Sequence, residues 1–237
     1  MAFFEGDRRA REPFLNAPAV VLWLIGVVLL AHVVRVALPG DWPDRLIFDY
    51  ALIPAHFAEA AQAGWPLGDL PGLLVTLLSY IFLHGDFTHV GVNSLWLLAF
   101  GPIVARRLGA RRFLLYFFFC GLAAALVHLG TYWGSPAAVV GASGGVSGLM
   151  GGAMRIVYGK LYGQGREELA PIASRPILAF TAVWTVVNIV SGIFRLGVAD
   201  DLTLVAWVAH LGGYFAGLFA LGMFDPFSFA RGRAREV

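Results

Sequence analysis

Residues 113–154 run for 42 positions without an Asp, Glu, Lys or Arg. About 20 apolar residues cross the roughly 30 Å of hydrocarbon in a bilayer, so this run holds two crossings. The stretch "YWGSPAAVVG" divides them, because aromatic residues, Gly and Pro together mark an interface and a turn. Four more uncharged runs follow the same logic: Ala17–Val34, Phe87–Ala105, Pro176–Phe194 and Leu202–Phe224, of 18, 19, 19 and 23 residues. The sequence therefore predicts an all-α polytopic membrane protein with six transmembrane helices. Composition agrees: 59% of residues are hydrophobic and 14% are charged, where a soluble domain carries about a quarter charged.

The first run reads as a retained span. "EGDRRARE" precedes it, the apolar stretch is longer than a signal core, and no convincing small-residue cleavage site follows. Cys120, the one cysteine of the chain, has no intramolecular partner and reads as a packing residue.

Basic residues set the orientation. Arg8, Arg9 and Arg11 precede span 1. Arg106, Arg107, Arg111 and Arg112 separate spans 2 and 3, and Arg155, Lys160, Arg166 and Arg175 separate spans 4 and 5. With Arg231, Arg233 and Arg235 at the end, these are 14 of the 17 Lys and Arg residues, all on one side of a six-span chain. Both termini are expected in the cytoplasm. Such a basic face belongs beside anionic lipid rather than nucleic acid. The expected organisation is a tail over residues 1–16, a membrane domain over 17–225 and a tail over 226–237. Within the domain, residues 39–86 form an outer loop between helices 1 and 2. Its "RLIFDYALIPAHFAEAAQAGW" suits an amphipathic helix in the interface. The apolar Leu70–Gly85 stretch suits a half-buried or re-entrant segment.

A polar side chain inside a span is costly and is a candidate for function. His89 and Asn93 in span 2, Ser143 and Ser147 in span 4 and His210 in span 6 qualify. Asn188 and Ser191 in span 5 rank lower, because single amides and hydroxyls commonly join helices. Counting 1.5 Å per residue from the basic side puts Asn93 at about 20 Å, Ser143 at about 18 Å and His210 at about 22 Å. His89 comes out near 26 Å, whereas Ser147 is lower, at about 12 Å. A serine hydroxyl, a histidine base and an amide donor at one level are what nucleophilic acyl transfer needs. His89 and Asn93, four residues apart, share a helix face. Ser143 also stands at the start of span 4, where first-turn N–H groups are free to bind an anion.

At these residues the chain resembles the rhomboid family of intramembrane serine proteases. Three stretches carry the likeness, in the family's order: "FLHGDFTHVGVNSLWLLAFG" with His84, His89 and Asn93; "GASG" at the head of span 4; and "AHLGGYFAG" with His210, Gly213 and Gly217. The resemblance implies Ser143 as nucleophile and His210 as base and then acid, with no third carboxylate. His89, Asn93 and the Ser143 N–H would hold the oxyanion, and His84 would brace the outer loop. Gly213 and Gly217 would let span 6 approach span 4, as small-residue packing also suggests. Substrates would be single-span membrane proteins within the lipid bilayer.

Two departures from the pattern stand out. Val75 and Thr76 stand where the family commonly has Trp-Arg, so the outer loop must be anchored differently. Ser147 stands where a ring usually packs on the histidine, and is expected to bond His210 or the Ser143 carbonyl. No cofactor or metal is expected, because the His and acidic residues form no closed ligand set. Two readings compete: a catalytically inactive rhomboid-like chaperone or adaptor, motivated by these departures, and a small transporter, which would need paired charges or repeats inside the spans.

Overall fold

A computed structural model describes residues 17–162, 168–194 and 207–227. Nine helices are found among the described residues: α1 (Ala19–Ala37), α2 (Trp42–Tyr50), α3 (Pro54–Gln62), α4 (Leu70–Ser79), α5 (Phe87–Leu108), α6 (Ala110–Thr131), α7 (Ser143–Tyr162), α8 (Arg175–Ile193) and α9 (Trp207–Phe224). No β-strand is found among those residues; Leu52 and Val139 form an isolated antiparallel bridge.

Five helices, α1, α5, α6, α8 and α9, are long and apolar enough to cross a membrane. The expected fourth crossing is α7. Its 20 residues span about 30 Å, but six glycines, two serines, Arg155 and Lys160 lower its hydropathy. The expected tails, 1–16 and most of 226–237, lie outside the described residues, as do residues 202–206 at the head of the last expected span.

Glycine explains why α7 is at the centre. A Cβ at Gly213 of α9 would overlap the Gly144 carbonyl, and one at Gly217 would overlap the Gly148 carbonyl. On the α6 side, Gly144 meets Ala124, Gly145 meets Phe117 and Gly148 meets Cys120. Backbones can approach this closely only where side chains are absent, and the gain is dispersion contact along the whole crossing. Tyr116 of α6 bridges the pair, its hydroxyl donating to the carbonyl oxygens of Gly148 (3.1 Å) and Gly217 (2.8 Å).

Helices α1 and α8 are peripheral. α1 buries a stripe of Val21, Leu24, Val28, His32 and Arg35, spaced three or four residues apart as one helix face requires. Gly101 of α5 receives Val21. α8 buries only Ile177 and Asn188, and its valines 183, 186, 187 and 190 face outward. Between α5 and α6 the turn is one residue, Gly109 at φ 76°, a conformation glycine adopts without strain.

The interfacial segment predicted as one helix over residues 45–65 is two, α2 and α3. Leu52 breaks it by exchanging backbone hydrogen bonds with Val139 (3.1 and 2.9 Å), and Pro54, lacking an N–H, then occupies the first position of α3. The Leu70–Gly85 stretch is α4, a 3₁₀ turn over Tyr80–Phe82 and an extended Leu83.

At the far end of the bundle, Arg107 and Asp225 form a bidentate ion pair, with Nε–Oδ1 2.9 Å and Nη2–Oδ2 2.8 Å. Both side chains are buried. This pair joins the end of α5 to the end of α9.

Candidate active site

The first residue of α7 is Ser143. Its Oγ lies 2.9 Å from Nε2 of His210 on α9, so the two side chains placed at one depth by helix rise are in hydrogen-bond contact. Both are half-buried. On the other side of the ring, Nδ1 lies 3.0 Å from Oδ1 of Asn188 on α8. The Asn188 amide nitrogen donates to the Trp184 carbonyl at 2.8 Å, which leaves its oxygen facing the imidazole. That oxygen can only accept, so Nδ1 carries the proton and Nε2 offers its lone pair to the serine hydroxyl.

The approach to Ser143 is held by backbone. The Gly141 N–H donates to the Tyr80 carbonyl (2.9 Å), and the Tyr80 hydroxyl donates to the Gly121 carbonyl (2.8 Å). Gly141 has φ +118°, and a Cβ there would strike Nε2 of His89 and crowd Nδ2 of Asn93. Glycine is thus required twice over, for its backbone angle and for the side chains beside it.

His89 and Asn93 therefore face one point two residues ahead of Ser143. Asp86 sets the register of their helix by accepting from the His89 N–H (2.8 Å) at the α5 N-cap. The Gly85 N–H reaches Nδ1 of His89 (3.4 Å); accepting there places the ring proton on Nε2, toward Gly141. Nδ2 of Asn93 is buried with no hydrogen-bond partner among the described residues. In the first turn of α7 the backbone N–H groups precede any helical acceptor. Two side-chain donors and a helix N-terminus converge beside the serine.

His84 is fully buried, and its Nε2 accepts from the Ala142 N–H (3.4 Å). Burial, then the neighbouring His89, push its pKa down to about 3, so the ring is neutral and able to accept there. Arg35 of α1 donates through Nη2 to the carbonyls of His84 (2.8 Å) and Gly85 (3.2 Å). This is how the segment before α5 is anchored without the Trp-Arg pair. Val75 is exposed, while Thr76 is buried and bonds only within its own helix, to the Leu73 carbonyl.

Ser147 is buried one turn below Ser143. It takes neither ring nitrogen of His210, since Ser143 and Asn188 occupy both, so the expected Ser147–His210 bond is not formed. Gly213 and Gly217 of α9 lie against the carbonyls of Gly144 and Gly148 in α7.

Two further residues of the site carry only weak signals in the sequence. Asn188 looks in sequence like the single amides that join helices, although Thr181, Trp184 and Asn188 share one face of a largely apolar helix. Arg35 directly follows the uncharged run that ends at Val34, where a basic residue looks like a mere span end, although it continues the Val28–His32 spacing. Among the described residues, no group of three or more His, Cys, Asp or Glu is arranged to hold a metal ion.

Residues 71–225 match the Rhomboid domain, more than half of the chain. The chain belongs to the rhomboid family. A curated relative, "Putative rhomboid protease YdcA" of Bacillus subtilis (strain 168), is 33% identical over 141 residues, covering 57% of this chain and 68% of the relative. The matched residues contain α5 to α9, hence every side chain of the site except Arg35. Family membership and the five long apolar helices make this rhomboid an integral, multi-pass membrane protein.

Proposed function

We propose that this rhomboid is an intramembrane serine endopeptidase that cleaves transmembrane-helix substrates near the outer membrane face with a Ser143–His210 dyad. The observation that carries the proposal is the 2.9 Å contact between Ser143 Oγ and His210 Nε2 at the head of α7. In this reading α7 is the sixth crossing, residues 17–225 are the membrane domain, and both termini lie in the cytoplasm beneath a bacterial inner membrane. The loop bearing α2, α3 and α4 then lies outside, and water reaches Ser143 from that side.

The chemistry follows from the hydrogen bonds. Ser143 Oγ attacks the scissile carbonyl while its proton passes to His210 Nε2. The oxyanion that forms accepts from His89 Nε2–H, Asn93 Nδ2–H and the Ser143 N–H, donors already fixed before charge develops. When the tetrahedral centre collapses, the departing amine takes the proton back from Nε2. Water, deprotonated by the same nitrogen, then hydrolyses the acyl-serine. A substrate helix must unwind locally first, because its carbonyls are otherwise bonded within the helix. Small or helix-breaking residues near the cut meet that need.

The test is cleavage of tagged single-span substrates in liposomes, with fluorophosphonate labelling of the serine. Wild type should cleave and label; Ser143→Ala and His210→Ala should do neither, whereas Ser147→Ala should change the rate only. A folded wild type that neither labels nor cleaves would leave the adaptor reading, which Ser147 in place of a ring favours. Activity retained in Ser143→Ala and lost in Ser147→Ala would move the nucleophile by one turn.

A further inference from the structure

Asn188 stands out from the helix that carries it. α8 presents aliphatic side chains along most of its length, and Asn188 is its one buried polar residue among those described. An amide used only to hold two helices together would be satisfied by any polar partner on the neighbour. Here both ends of the amide are committed in a single orientation, with Nδ2–H to the Trp184 carbonyl (2.8 Å) and Oδ1 to the ring nitrogen opposite the serine (3.0 Å). Reversing the amide would set two donors or two acceptors against each other, so the orientation follows from the chemistry of the partners.

Among the described residues, no other hydrogen bond to the His210 ring is found. Among the described residues no aromatic ring packs against it, and Ser147 contributes no bond to it. The imidazole can turn about χ2, a broad two-fold torsion, unless hydrogen bonds on both nitrogens fix its plane. A ring turned over would present Nδ1–H to Ser143 and lose the acceptor needed for the serine proton.

We propose that Asn188 is a positioning residue for the proteolytic reaction, holding His210 in the ring orientation and tautomer that keep the Nε2 lone pair on Ser143. The proposal rests on the protease reading above. The proton balance is simple: the Ser143 proton moves to Nε2 and later to the leaving amine, and Nδ1–H stays on the ring, donating to Oδ1 throughout. The Asn188 bond strengthens while the ring is cationic, because charge-assisted hydrogen bonds are the stronger class. It thereby favours the transition state over the resting state. Asn188 touches no substrate atom and takes no proton.

The experiment uses the full chain in liposomes, with kcat and KM on a tagged single-span substrate and the rate of Ser143 labelling by a fluorophosphonate. Asn188→Ala removes the acceptor and some packing; Asn188→Leu removes the acceptor at nearly constant volume. Asn188→Asp keeps an acceptor at the same reach. Thr181→Ala removes a second polar tie between α8 and α9 among the described residues, the Thr181–Tyr214 hydroxyl contact of 2.8 Å, without touching His210. Both acceptor-deleting variants should lose kcat by roughly 10- to 100-fold, part of what a positioned acid–base group supplies. KM should stay within about twofold, as for an interaction made in the transition state, and labelling should slow in parallel. Asn188→Asp should recover most of the rate, and Thr181→Ala should cleave like wild type.

Wild-type kcat and labelling in Asn188→Leu would overturn the proposal, as would an Asn188→Asp no faster than Asn188→Leu. A Thr181→Ala variant that loses as much kcat as Asn188→Leu would reduce Asn188 to helix docking. A wild type that neither labels nor cleaves is a different failure: it removes the protease reading, and the positioning role with it.

Discussion

Gly213 of α9 lies on the carbonyl of Gly144 in α7 so closely that a Cβ would overlap the oxygen. Gly213 is three residues beyond His210, and Gly144 is next to Ser143, so this close approach is also what brings base to nucleophile. Gly213→Ala should push the helices apart, and a displacement of even 1 Å at reacting atoms costs about 100-fold in rate. Overpacking adds about 1–3 kcal/mol of destabilisation. Gly222→Ala is the control, since nothing lies within 4 Å of its Cβ. Thermal unfolding and substrate cleavage of the two variants should diverge sharply.

Arg35 replaces an anchor that the sequence lacks. Its guanidinium holds the carbonyls of His84 and Gly85, the two residues leading into the α5 cap at Asp86, and α5 in turn aims His89 and Asn93. Removing it leaves two carbonyls short of a charged donor, each hydrogen bond of that class contributing about 1.5–3 kcal/mol. Arg35→Ala should therefore lower stability and slow Ser143 labelling. Arg35→Lys, which lacks the planar fork, should recover only part of it. Equal labelling rates in Arg35→Ala and wild type would show that the loop needs no such tie.

His84 gives the fold a dependence on acid. Its pKa falls from the ordinary 6.5 to about 3 through burial, with His89 adding to the effect. An unfolded chain then binds more protons than the folded one between those values. Stability from this residue is full above pH 6.5 and declines as pH falls toward 3. His84→Gln keeps an acceptor for the Ala142 N–H but does not titrate in this window. Its melting temperature should fall less between pH 7 and pH 4 than that of wild type; parallel curves for the two proteins would remove His84 from the account of acid lability.

Much of the site is legible because a helix has a fixed rise. Counting residues from charged ends brings Ser143, Asn93 and His210 to one level, and the contact between Ser143 and His210 follows once glycines allow the crossing. Asn188 escapes the same count for a physical reason: one amide in an apolar helix looks alike whether it meets a carbonyl or an imidazole, and only the neighbour's position distinguishes them. Arg35 is hidden because a span-end arginine is what topology alone would require. The interfacial segment splits in two because Leu52 pairs with Val139, 87 residues away in sequence, and no local pattern reveals a partner at that distance. Hydropathy also passes over α7, since its glycines, serines, Arg155 and Lys160 make it less apolar than the five helices long and apolar enough to cross a membrane.

The Arg107–Asp225 pair sits at the opposite end of the bundle from Ser143, joining α5 to α9 with two short hydrogen bonds between buried groups. Sequence alone casts Arg107 as one of a basic cluster and Asp225 as the end of a span, yet a bidentate geometry at this burial makes the two interdependent. Asp225→Ala or Arg107→Ala removes one partner of this buried ion pair, a loss of about 3–5 kcal/mol. Replacing both with apolar residues of similar size, Arg107→Met with Asp225→Leu, should restore most of that stability, because neither desolvated charge remains. Thermal unfolding in detergent checks the order: each single variant lowest, the double variant between them and wild type or above it. Because the pair is remote from His210, cleavage per folded molecule should be nearly unchanged in the double variant. A double variant as unstable as the singles would mean that the pair contributes shape at the α5–α9 junction that apolar side chains do not reproduce.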